Sequence, residues 1–106
     1  MTTLDDGIRA LCGRGVSLCA TSSNQLTLSI KRGNLQPQEV QPIKDNKALV
    51  LLLLPIGCDV SAAHFENALE HYREREAMLV YGGIDAGSAG LKAISESRAF
   101  LLSLLS

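Results

Sequence analysis

The chain opens on a helical pattern. Leu4, Ile8 and Leu11 recur at i, i+4 and i+7, which places them on one face of a helix. Thr3 stands three residues before Asp6, the spacing of a capping box with Asp in place of the usual Glu. Asp5 and Asp6 suit the positive end of the helix dipole, and Gly13 and Gly15 stop the helix. The pattern predicts a helix over Leu4 to Cys12. The period then changes to two. Val16, Leu18 and Ala20 alternate with Ser17, Cys19 and Thr21, and Leu26, Leu28 and Ile30 alternate with Thr27, Ser29 and Lys31. Ser22, Ser23, Asn24 and Gln25 are turn residues, so the stretch reads as a β-hairpin.

Two readings stay open for Ala48 to Leu54. Its hydrophobicity suits a buried strand, but leucine dominates over valine and isoleucine, which leans helical. Upstream, Pro37 with Gln38 and Glu39 resembles a helix start. Pro42 removes a backbone donor and clashes with the preceding turn. The expectation is two short helices, Pro37 to Gln41 and Ile43 to Leu54, broken at Pro42. Asp59 or Ser61 can cap the next segment. There Ala62, Phe65, Leu69, Tyr72 and Leu79 follow helical spacing, with Glu76 the polar intruder. This predicts a helix over Ser61 to Val80, ended by Tyr81-Gly82-Gly83. Asp85 or Ser88 can start another helix holding Leu91 and Ile94, and a last apolar piece, Ala99 to Leu105, packs back on the core. The fold class is therefore α+β and mostly helical. An αββαα unit over residues 1–57 is followed by two or three further helices in 58–106, packed on the same core.

Composition narrows the function. The 106 residues are 46% hydrophobic, enough for one core and against disorder. A net charge of -1, with both signs mixed along the chain, lacks the basic excess that tracks phosphates. Nucleic acid is thus a disfavoured partner. Three cysteines without a CxxC pair argue against a disulfide framework, so Cys12, Cys19 and Cys58 read as small buried hydrophobes. The longest apolar run is far short of the ~20 residues that span a bilayer. Met1 to Asp6 lacks the basic start and apolar stretch of a signal. A cytoplasmic protein with no membrane association is expected.

The candidate chemistries each lack a part. His64 and His71 lie on one helical face with Cys58 upstream, but four zinc ligands at recognised spacings are not there. Glu66, Glu70, Glu74 and Glu76 beside Arg73 and Arg75 read as a solvated, ion-paired face. Gly82, Gly83, Gly87 and Gly90 have neither the Walker spacing nor its lysine, and read as a helix–turn–helix corner with few cations for phosphates. The cysteines have no recognisable catalytic partner. Phe65 and Tyr72 fall on an apolar face, as core residues rather than a stacking platform. No catalytic residue, metal or cofactor is expected, and the chain reads as non-enzymatic.

A resemblance adds a functional expectation. The stretches Arg14-Gly15-Val16-Ser17-Leu18, Gln25-Leu26-Thr27-Leu28, Leu35-Gln36-Pro37-Gln38-Glu39 and Asn46-Lys47-Ala48-Leu49-Val50-Leu51-Leu52 lie in the order helix, hairpin, short helix, leucine-rich helix. Over Leu4 to Leu54 the chain resembles the TubC-like N-terminal docking domains of nonribosomal peptide synthetases. The resemblance implies an αββαα fold that receives a short peptide from a partner beside the second hairpin strand. Carried over by position, the partner-binding residues are Leu26, Thr27, Leu28, Ser29, Lys31 and Arg32. Lys31 and Arg32 would select an acidic peptide. Docking domains precede large synthetase modules, whereas 58–106 carries no such catalytic module, so the same fold is expected to serve something else or to dock a free-standing partner. An open hairpin edge also allows a homodimer.

The segment Glu74-Arg75-Glu76-Ala77-Met78 followed by Tyr81-Gly82-Gly83-Ile84 is similar to one in small uncharacterised proteins of bacterial mobile elements. It implies the alternative class, a bacterial DNA-associated accessory protein. The leading expectation is a non-catalytic docking or adaptor module with a protein or peptide partner.

Overall fold

The computed structural model describes residues 3–30 and 32–105. Helix α1 (Leu4–Cys12) forms where the periodicity places it, with the Asp6 N–H donating to Thr3 Oγ1 at 3.2 Å. Leu4, Ile8 and Leu11 are buried, and so is Gly7 on the same face. The chain turns through Gly15, whose φ of 69° is the left-handed conformation that glycine adopts without penalty. It then enters the hairpin of β1 (Val16–Ala20) and β2 (Leu26–Ile30). The register pairs Val16 with Ile30, Leu18 with Leu28 and Ala20 with Leu26. This puts every apolar residue of both strands on one face and the serines, Cys19 and Thr27 on the other.

The expected break at Pro42 is not there. Helix α2 (Pro37–Asp45) runs straight through it, and the break falls at Asn46, before α3 (Lys47–Leu53). Two facts explain the difference. The carbonyl that loses its donor to the proline ring belongs to Gln38, which is exposed, so water can serve it. The ring itself is buried against Gly7 of α1. Asn46 leaves the helical conformation at φ -118°, and its Nδ2 donates to the Pro42 carbonyl at 2.9 Å. Of the two readings of the leucine-rich run, the helix is the one adopted, with Val50 and Leu53 fully buried.

A third strand, β3 (Asp59–Ser61), lies outside the expected elements. It pairs antiparallel with β1, Leu18 opposite Val60, and the sheet order is β2-β1-β3. Three residues with a single apolar side chain carry no legible period. The strand forms because β1 presents an edge and the core takes Val60. Ser61 then caps α4 (Ala62–Tyr81), accepting the His64 N–H at 3.2 Å.

The C-terminal pieces form one helix, α5 (Ala86–Leu105), not two. Antiparallel pairing with α4 is fixed by Arg75 on Glu96, and by His71 Nδ1 within 3.1 Å of Ser97 Oγ. Ala89, Ala93 and Ser97 form the buried stripe of α5, and such small side chains let two helix backbones approach closely. One hydrophobic core joins Ile8 and Leu11, Leu18 and Val60, Val50 and Leu53, Phe65 and Leu69, and Leu101. The fully buried members of this core come from every element except β2, whose Leu26, Leu28 and Ile30 pack against it while partly exposed. No helix among the described residues is long and apolar enough to cross a membrane.

Candidate docking edge

Strand β2 lies at one end of the sheet, with β1 on one side only. Hydrogen-bond parity decides which of its backbone groups are committed. The Thr21 N–H donates to the Gln25 carbonyl at 2.9 Å, closing the first rung of the hairpin. Antiparallel rungs alternate, so Thr27 and Ser29 turn their backbone groups toward β1. The intervening residues turn theirs the other way. On the far side of β1 the same parity holds, since the Ala20 carbonyl accepts the Gly57 N–H at 2.8 Å. The groups that face outward from β2 therefore belong to Leu26, Leu28 and Ile30.

The side chains follow the same alternation. Leu26, Leu28 and Ile30 pack against the rim of the core and remain half-buried, whereas Thr27 and Ser29 are exposed on the outer face. The corresponding residues of β1, Val16, Leu18 and Ala20, are fully buried because strands flank them on both sides. The partial exposure of the β2 residues marks where the covering layer stops.

Of the residues expected to bind a partner, Leu26 and Leu28 present both outward backbone and apolar side chains. Thr27 and Ser29 present only their side chains, on the opposite face. Lys31 lies outside the described residues. Arg32 is exposed just after the strand, where Gly33 at φ 78° turns the chain away. Arg14 pins the segment that follows, donating to the Asn34 carbonyl at 2.9 Å and lying 3.7 Å from Glu39. Ile30 belongs to the edge and was not among the expected residues, although the period-two alternation carries it.

The other constellations find local partners. The cysteines are not buried hydrophobes: Cys12 and Cys19 are half-exposed and Cys58 is exposed. The Cys12 thiol donates to Glu66 Oε2 at 3.1 Å, and burial, then this bond, push it up to about 11. Burial and then Asp59 raise the Cys19 thiol as well. The acidic face is less solvated than its pattern suggests. Glu66 serves Cys12, and Glu76, the polar intruder on α4, accepts the Tyr72 hydroxyl at 2.5 Å. Burial and that contact push the Tyr72 phenol up to about 12. His71 stacks on Phe100 with ring centroids 4.7 Å apart, in addition to its contact with Ser97. No group of metal-ligating side chains assembles among the described residues. No family model, curated protein or solved structure matches this chain.

Proposed function

We propose that this protein is a non-catalytic docking module that takes a partner peptide as an added strand along β2. The observation that carries the reading is the β2 edge itself. Three outward-facing pairs of backbone groups, at Leu26, Leu28 and Ile30, run beside three half-buried apolar side chains. An added strand would pair the backbone groups and cover the side chains at once. The opposite edge, β3, offers only three residues. Arg32, exposed at the end of β2, favours an acidic residue on the incoming peptide.

The parity of the ladder supplies the test. Leu28→Pro removes an outward donor and leaves the bonds to β1 intact, and proline is tolerated on edge strands for that reason. Ser29→Pro removes an inward donor and breaks the hairpin. With an acidic, β-prone peptide selected from a displayed library, Leu28→Pro abolishes binding while the circular dichroism spectrum is retained. Arg32→Glu weakens the same peptide. In nuclear magnetic resonance spectra the amides of Leu26, Leu28 and Ile30 gain exchange protection on binding. Undiminished affinity in Leu28→Pro, with the hairpin intact, overturns the reading.

A further inference from the structure

An open cleft of about 540 Å³ lies at the turn end of the sheet, and β2 contributes no residue to it. Its walls are the hairpin turn, Ala48 and Leu51 of α3, the segment Leu54-Pro55-Ile56 that follows, and Arg98 of α5. The volume falls within the range of small-molecule sites. The surface is mostly hydrocarbon. Ile56 is 63% exposed, which is costly for an isoleucine held at the mouth of an apolar cleft.

Thr21 and Asn24 add polar groups from the hairpin turn, and the one charged residue of the lining is Arg98. Its Nε donates to the Leu52 carbonyl at 3.0 Å, and one Nη reaches the same oxygen. Leu52 lies in the last turn of α3, so Arg98 caps a helix terminus whose carbonyls lack partners. That contact positions the guanidinium but does not neutralise it. Among the described residues the ion pairs are made by Arg9, Arg14, Arg73 and Arg75, and no carboxylate pairs with Arg98. A guanidinium has five N–H donors in a fixed plane. Two are directed at Leu52, and the remaining edge is shaped for the two oxygens of a carboxylate.

From this juxtaposition we infer that the cleft binds an aliphatic monocarboxylate, its chain against Leu51, Leu54 and Ile56 and its carboxylate on Arg98. The site is separate from the β2 edge and stands whether or not that edge binds a peptide. The bond to Leu52 holds the guanidinium in place before the ligand arrives, so little side-chain entropy is lost on binding. A neutral chain of the same length would gain the apolar contact but not the charge-assisted pair.

Decanoate and 1-decanol are the probes, followed through the methyl resonances of Leu51, Leu54 and Ile56 in the full chain. Decanoate is expected to shift these methyls saturably, with 1-decanol at least about tenfold weaker, the equivalent of one charge-assisted bond. Arg98→Gln keeps an amide donor for the Leu52 carbonyl and removes the charge, so it weakens decanoate by about tenfold and leaves 1-decanol unchanged. Arg98→Lys, which keeps the charge but not the fork, falls between and serves where the glutamine variant does not fold. Ala48→Phe, at an exposed helical position on the cleft wall, excludes both probes. Equal affinity for the two probes, or decanoate binding indifferent to Arg98, overturns the inference, as does the lack of any saturable shift.

Discussion

Gly7→Ala tests the contact that carries α2 through Pro42. In an ordinary helix interior the change stabilises by about 1 kcal/mol, because alanine loses less backbone freedom on folding. At Gly7 a methyl group would stand 2.9 Å from Pro42 Cβ and 3.1 Å from Pro42 Cγ. Comfortable carbon–carbon contact begins at about 3.5 Å, so the overlap is roughly half an ångström with two atoms at once. Neither atom can rotate away, since both belong to a proline ring inside a helix. Relief requires α1 and α2 to separate, which costs about 1–3 kcal/mol as overpacking. The net expectation is a loss of about 1 kcal/mol, or about 4–8 °C in Tm. Urea denaturation followed by far-UV circular dichroism measures it. Pro42→Gly removes both clashing atoms, and in that background Gly7→Ala should recover its ordinary gain, giving a coupling of about 2 kcal/mol in the double-mutant cycle. If Gly7→Ala stabilises the parent chain as much as it does the Pro42→Gly variant, the close approach is not what governs this site.

Three more expectations follow from the packing and the titrating groups. Phe65 is fully buried at the centre of the core, so Phe65→Ala should cost about 3–5 kcal/mol; a loss under about 1 kcal/mol in urea denaturation would place it at a collapsible site. Cys12 and Tyr72 hold their protons more tightly folded than the ordinary thiol at 9.0 and phenol at 10.0. Their contribution is therefore complete below these values and lost as pH rises toward about 11 for the thiol and about 12 for the phenol. Tyr72→Phe should lose about 1–2 kcal/mol at neutral pH with the hydrogen bond to Glu76, and should flatten the upper part of the alkaline profile; a profile parallel to the parent's would refute the assignment. In thiol labelling near pH 8, exposed Cys58 should react first and Cys12 slowly, and Glu66→Gln should speed Cys12; equal rates for Cys12 in parent and variant would show that Glu66 does not hold its proton.

Local pattern determined much of this protein. The i, i+4, i+7 spacing of Leu4, Ile8 and Leu11, with Thr3 before Asp6, is sufficient for α1 and its cap. Alternation over Val16–Ala20 and Leu26–Ile30, with turn residues between, is sufficient for the hairpin and for the face each side chain takes. The same alternation puts Ile30 on the apolar face with Leu26 and Leu28, because which face a side chain takes depends only on position along the strand. Ser61 and the Gly82-Gly83 pair likewise mark the ends of α4 through groups that act within a turn of themselves.

What tertiary structure decided are the places where a distant residue changes a local cost. Pro42 does not break α2, because its ring is buried on Gly7, thirty-five positions earlier in the chain. Val60 becomes a strand because β1 has a second edge to pair. Glu76 sits on the packed face of α4 because Tyr72 and α5 leave room for a carboxylate beside Gly90. The cleft beside Arg98 has no local signature at all: its walls come from the hairpin turn, α3 and α5, and nothing in the spacing of those residues brings them together. Periodicity encodes which face of an element is apolar. Which element that face meets, and which charge stays unpaired at the junction, are settled only when the elements pack.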